Sequence, residues 1–138
     1  MKRAEVYALI DAERARQDAK WGEQRHPDVD PELTDRGPSI YKGHTSPGGC
    51  TTARMAEEYG IPPASRAKAN CDGAARAGHP TWAHIAVEEL AEVVEAATLA
   101  QQGQGPEEDV DKELVQLAAV IVQWIEARAA RVGKGQSR

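Results

Sequence analysis

Apolar side chains recur every three or four residues along most of the chain. This spacing predicts helices over about residues 3–21, 51–60, 62–77, 81–101 and 106–132. No segment alternates apolar and polar residues in the manner of a strand. The pattern therefore predicts an all-α fold, a helical bundle of about four to five helices.

Helix boundary signals agree with these spans. Gly22 and Gly78 follow the last periodic residues of two predicted helices, where glycine commonly ends a helix. Thr81 stands where an N-cap is needed for the long helix predicted over 81–101. Pro106, followed by three acidic residues, suits the first turn of the last helix because acids there complement the helix dipole.

Residues 22–50 are rich in proline and glycine and show neither helical nor strand periodicity. They predict one long loop, and long loops in compact domains are usually functional or disordered. With 138 residues, we expect a single helical domain over 1–132, followed by a frayed tail at 133–138.

Composition narrows the classes of function. The net charge of -5 disfavours binding to nucleic acid backbones or anionic lipid. No run of 18 apolar residues occurs, so we expect no membrane span, and the charged N-terminus does not resemble a signal peptide. Cys50 and Cys71 form no CxxC pair, which favours a reducing, cytoplasmic location.

The segment IAVEELAEVVEAA carries Glu88, Glu89, Glu92 and Glu95 without a lysine or arginine among them. A helical projection places these glutamates opposite an apolar arc that contains Leu90 and Val93. A solvated outer face is one interpretation, since charge runs are usually exposed. The alternative is a bound cation, which an i, i+3 pair such as Glu89 and Glu92 can reach.

The last helix favours the cation. Its apolar arc comprises Leu114, Leu117, Ala118, Val120, Ile121, Trp124 and Ile125. Glu113 projects inside this arc, where an unpaired carboxylate is costly. Carboxylate oxygens suit Mg²⁺ or Mn²⁺. A di-iron bundle would need two Glu-x-x-His motifs, and a zinc site would need paired histidine or cysteine ligands; the sequence offers neither spacing.

EELAE at 88–92, followed by ELVQ at 113–116, resembles the E-E-x-x-E and E-x-x-D pattern of the MazG-like all-α nucleoside triphosphate pyrophosphohydrolases. ERARQDAKWGEQRHPD, TWAHI and LAAVIVQWIEA are also similar to small members from actinobacteria and their phages. The resemblance covers about two thirds of the chain and leaves residues 30–78 thinly supported. It implies hydrolysis of a nucleoside triphosphate to a monophosphate and diphosphate, Mg²⁺ or Mn²⁺ as cofactor, and a homodimer or homotetramer in a bacterial or phage-infected cytosol.

The resemblance also implies roles for individual residues. Glu89, Glu92 and Glu113 would bind the metal, and Glu88 would be a further ligand or the base for the attacking water. Gln116 stands where the family has an aspartate ligand, and Asp109, one turn earlier, is the residue that could compensate. Glu95 is assigned to solvent.

Substrate contacts are implied near the N-terminus. Arg16 and Lys20 would offer charge to phosphates, Trp21 would stack on a base, and Gln17 would hydrogen bond to its edge. Plain structural roles, a surface charge for Arg16 and a core aromatic for Trp21, are the alternatives. Some phage members act on guanine nucleotides, which makes dGTP or GTP the narrower expectation.

Two rival functions remain open. TTARMAEEYGIPPASRAKA places Ala56, Gly60 and Ile61 at helix-turn-helix offsets, with Arg66 and Lys68 in the second helix, as in DNA-binding proteins. Paired prolines at the turn and the acidic balance of the chain count against this role. The other rival is a catalytically silent helical protein that has lost turnover through Gln116.

Overall fold

A computed structural model describes residues 1–34, 39–41, 44–46 and 51–133, with only the backbone for 39–41 and 44–46. The described part is mostly helical, so the predicted all-α class is confirmed. These residues form six helices, one of them a single turn: α1 (Arg3–Trp21), α2 (Pro31–Thr34), α3 (Thr52–Glu58), α4 (Ala64–Arg76), α5 (Trp82–Gln101) and α6 (Glu107–Gly133).

The helix ends follow the local chemistry that predicted them. Thr81 caps α5 by accepting a hydrogen bond at Oγ1 from the His84 N–H, 3.1 Å away. Thr51 caps α3 in the same way, accepting from the Arg54 N–H at 3.1 Å. Gly22 ends α1 at φ 66°, a left-handed conformation that other residues adopt at a cost.

The segment 22–50 is not simply a loop. It contains α2 and a short antiparallel hairpin of β1 (Ser39–Tyr41) and β2 (His44–Ser46), with Ile40 opposite Thr45. The expectation of no strand is therefore wrong at this point, because three-residue strands are too short to show a periodic pattern. Gly133 belongs to α6 rather than to a tail, and residues 134–138 lie outside the described residues.

The chain divides into two compact units, Met1–His26 with Ala118–Arg138, and Pro27–Leu117. In the first unit, α1 buries Val6 completely, while the second half of α6 buries Val122. An ion pair joins these two segments, with Arg3 Nε 3.2 Å from Glu126 Oε1. The exposure of this arginine limits the pair to a small contribution to stability.

The second unit is built around α5, which packs against α2, α3 and α4. Its core cluster consists of Val29, Leu33, Met55, Val94, Ala97 and Val110. The α2 segment is fixed to α5 by Gln101, whose Nε2 donates to the Val29 carbonyl at 3.2 Å and to Thr34 Oγ1 at 3.0 Å. Contacts with several neighbouring helices leave α5 little fully solvated surface.

The predicted apolar arcs are partly wrong. Leu90 of α5 and Leu114 and Ile121 of α6 are exposed, at 38%, 45% and 38%. The buried side of α5 instead contains Ala91, Val94, Ala97 and Thr98. The short side chains at these positions allow neighbouring helices to pack closely on α5.

Candidate metal centre and adjoining cleft

Three carboxylates meet in the second unit. Glu89 and Glu92 lie one turn apart on α5, and Glu113 reaches them from α6. One ligand oxygen from each lies within 4.8 Å of the others, and all three residues are half-buried. We call this group the acidic trio. A solvated outer face, the plain interpretation of these glutamates, does not describe their positions.

The trio is electrostatically strained. Burial raises the pKa of Glu92 to about 7, helped by the charge of Glu89 and by a hydrogen bond and the charge of Glu113. The pKa of Glu89 is also raised, first by burial and then by the charges of Glu113 and Glu88. The causes that raise these two pKa values are burial and neighbouring carboxylates, and a hydrogen bond with Glu92 partly lowers the pKa of Glu89.

Two oxygens of the trio also lack hydrogen-bond partners. Glu89 Oε2 and Glu113 Oε2 are buried and accept no hydrogen bond from the described residues. Buried polar atoms are normally satisfied, so such atoms call for an explanation. Hard oxygen donors at this separation, each able to lose its proton, fit a divalent cation such as Mg²⁺ or Mn²⁺.

Glu88 lies beside α4 rather than within the trio. Burial raises the pKa of the Cys71 thiol to about 11, and the second cause is a hydrogen bond with the Glu88 side chain. Cys71 Sγ also donates to the His84 carbonyl at 3.0 Å. Glu88 still acts on the trio, because its charge contributes to the raised pKa values of Glu89 and Glu92.

A cleft of about 500 Å³ adjoins the trio between α4, α5 and α6. It is lined by Ala64, Ser65, Lys68, Glu92, Glu95, Ala96, Leu99, Asp109, Lys112 and Glu113. Glu95, which was assigned to solvent, lies outside the trio; it is half-buried and lines this cleft one turn beyond Glu92. We call this space the acidic cleft.

The two candidates for a fourth metal ligand, Asp109 and Gln116, have different surroundings. Asp109 lines the acidic cleft one turn before Glu113. Gln116 is half-buried, is not among the residues that line the cleft, and makes no hydrogen bond through its side chain within the described part of the chain. Asp109 thus shares the cleft with Glu92 and Glu113, whereas Gln116 does not line it.

Sequence reasoning missed the two lysines of the cleft. Lys112 directly precedes Glu113, and this adjacency was a usable signal. Lys68 belongs to the second helix of the helix-turn-helix alternative, and only the packing of α4 on α5 brings it to the cleft. The α3 and α4 helices are successive and joined by a short connection. However, Lys68 lines a cleft with four carboxylates, whose charge would repel DNA phosphates in the absence of a bound cation.

The predicted substrate-binding residues belong to the first unit. Gln17 and Trp21, with Arg14 and His26, help line a separate cleft of about 580 Å³. Trp21 is 50% exposed, so it is not a core aromatic.

The two cationic candidates on α1 have local partners. Arg16 Nε donates to Glu13 Oε2 at 2.8 Å on the exposed surface. The ammonium of Lys20 lies 5.0 Å from the centre of the Trp21 ring, within the range of a cation–π interaction. The ion pair of Arg16 agrees with a surface role.

Comparison with protein-family models, curated proteins and solved structures found no match to this chain. Among the described residues, no helix combines the length and the apolar character needed to cross a bilayer.

Proposed function

We propose that the protein is a metal-dependent nucleoside triphosphate pyrophosphohydrolase, which converts a nucleoside triphosphate and water to the monophosphate and diphosphate. The observation that carries the proposal is the acidic trio. Its carboxylates converge from two helices, two of its buried oxygens lack hydrogen-bond partners, and it opens onto a cleft large enough for a phosphate chain. The resemblance of EELAE and ELVQ to the MazG-like pattern supports the same activity.

Glu89, Glu92 and Glu113 would hold Mg²⁺ or Mn²⁺. When bound, such a cation would offset the charge of the phosphates and make a nearby water more acidic. The raised pKa of Glu92 means that this carboxyl releases its proton as the cation binds. Protons therefore compete with the cation for Glu92, and cation affinity should rise with pH.

The remaining acids orient the reaction. Glu88 lies outside the trio and is a candidate to accept the proton of the attacking water, a role that requires a carboxylate within reach of the trio. Asp109, on the wall next to Glu113, is the candidate for the acid that Gln116 does not provide. Phosphoryl transfer depends mainly on such positioning and electrostatics, without covalent catalysis.

The test is a panel of canonical and modified ribo- and deoxyribonucleoside triphosphates, including GTP and dGTP. Each is incubated with Mg²⁺ or Mn²⁺ and assayed for monophosphate and diphosphate. We expect at least one to be hydrolysed, and Glu113→Gln to abolish that activity. The matched control is Glu108→Gln, an exposed acid on the same helix outside the cleft, which should retain full activity.

Two results would reject the proposal. Hydrolysis of no triphosphate, together with nucleotide binding that depends on the metal, would favour the silent binding protein. Equal loss of activity in Glu113→Gln and Glu108→Gln would show that the trio has no special role.

We further infer a homo-oligomer from the apolar surface of the second unit. Leu90 on α5 and Leu114 and Val115 on α6 are exposed at 38%, 45% and 68%. Exposed apolar groups of this size commonly lie at subunit contacts. Light scattering after size exclusion should give a dimer or tetramer, and Leu114→Glu should lower the mass; a monomeric wild type would refute the inference.

A further inference from the structure

Two lysines stand at the acidic cleft without neutralising it. Lys68 of α4 and Lys112 of α6 line the same space as Glu92 and Glu113. The ion pair of Lys68 is directed along its own helix, with Nζ 3.8 Å from Asp72 Oδ2. Lys112 makes no ion pair within the part of the chain that the structure describes.

The described ion pairs do not join either lysine to a carboxylate of the cleft. The Lys68–Asp72 pair is long and solvent-exposed, so it holds the ammonium group only weakly. Both ammonium groups can therefore meet anionic oxygens of a ligand in the cleft that they line.

The shape and composition of the cleft restrict that ligand. Acids occupy the walls on α5 and α6, whereas Lys68 and the Ser65 hydroxyl come from α4. A ligand that contacts both lysines and a cation on the trio needs several anionic oxygens spaced along a chain of atoms. A chain of two or three phosphates has this character, and lysine binds phosphate as a point charge.

We infer that Lys68 and Lys112 bind the phosphate chain of the substrate, with Ser65 donating a further hydrogen bond. The inference deepens the proposed function and rests on it for the identity of the substrate. It also assigns a function to α4, a helix in the region 30–78, where the family resemblance is thinly supported. Lys68 would bind the ligand from α4 and Lys112 from α6.

The direct test measures binding rather than turnover. Calorimetry with inorganic diphosphate and tripolyphosphate, on protein saturated with Mn²⁺, should show affinity about tenfold weaker in Lys68→Met and in Lys112→Met. Lys68→Arg and Lys112→Arg should restore most of the affinity because they keep the charge. Mn²⁺ affinity without diphosphate should not fall in any of these variants.

The matched control is Arg66→Met, an exposed cation on α4 that does not line the cleft. It should bind diphosphate as the wild type does. Equal weakening in Arg66→Met would overturn the inference, because a general loss of positive charge would then explain the effect. Diphosphate affinity within twofold of wild type in both lysine variants would also overturn it.

The two proposals fail in different ways. Diphosphate binding that depends on the lysines, in a protein that hydrolyses no triphosphate, would reject the proposed activity and support the phosphate site. Triphosphate hydrolysis with an unchanged KM in both Lys→Met variants would support the activity and overturn the phosphate site.

Discussion

Replacing Glu92 with glutamine should stabilise the metal-free protein while removing its response to metal. The pKa of this carboxyl is about 7, compared with its ordinary value of 4.5. That difference corresponds to about 3 kcal/mol of unfavourable ionisation when the residue is fully charged. Partial exposure to solvent screens the repulsion, which leaves about 1 to 2 kcal/mol.

The sign follows from proton binding. Between pH 4.5 and about 7 the folded protein holds a proton on Glu92 that the unfolded chain has released. Stability therefore falls as pH rises through this window and levels off above it. The Glu92→Gln variant has no such proton to lose, so its advantage over wild type is largest above pH 7 and shrinks toward pH 5.

Thermal unfolding with a chelator at pH 8 measures the effect. For a chain of this size, we expect Glu92→Gln to melt about 3 to 6 °C above wild type. Saturating Mn²⁺ should raise the melting temperature of wild type and leave the variant nearly unchanged, because ligands stabilise only the state that binds them. Glu108→Gln serves as the control and should follow wild type in both conditions.

One outcome would refute the reasoning directly. If Glu92→Gln melts at or below wild type at pH 8 without metal, the carboxylates are not in conflict and the electrostatic basis for a cation site is lost. An advantage of the same size at pH 5 and pH 8 would mean that the gain arises from packing rather than from charge.

Three further predictions concern other parts of the chain. In measurements of initial rates, Asp109→Asn should lower turnover about tenfold, while Gln116→Ala stays within twofold of wild type. The reason is that a charged ligand contributes more to cation binding than a neutral amide. A larger loss in Gln116→Ala would show that Gln116, not Asp109, is the fourth metal ligand. Thr81→Ala should reduce the free energy of unfolding by about 1 kcal/mol in urea titrations, since the N-cap bond to His84 is lost, and no change would show that solvent replaces the cap. Gel shifts with duplex DNA at physiological salt should show no complex, and a complex that Arg66→Ala abolishes would instead support the helix-turn-helix rival.

Local signals were sufficient to predict most of the helices. Thr81 as a cap, Gly22 as a stop and Pro106 before an acidic turn depend on neighbours in sequence, so their effect can be read without the fold. The short hairpin in segment 22–50 was not predicted, because strands of three residues are too short to show a periodic pattern.

Part of the candidate site could also be predicted from local sequence signals. Glu89 and Glu92 lie one turn apart on any helix. Glu113 is a candidate because an unpaired carboxylate within an apolar arc is energetically costly. The sequence by itself thus determined that Glu89 and Glu92 would share a helix face, in a segment without lysine or arginine.

Only the tertiary structure decided what surrounds them. The packing of α4 on α5 brings Lys68 to the cleft and half-buries Glu95, and the path of α6 places Asp109 on the cleft wall. It also left Leu90 and Leu114 exposed, against the arcs that the pattern predicted. A helical projection gives the angle of each side chain about its own axis, but burial depends on which neighbouring helices cover that angle, and this is fixed by long-range packing alone.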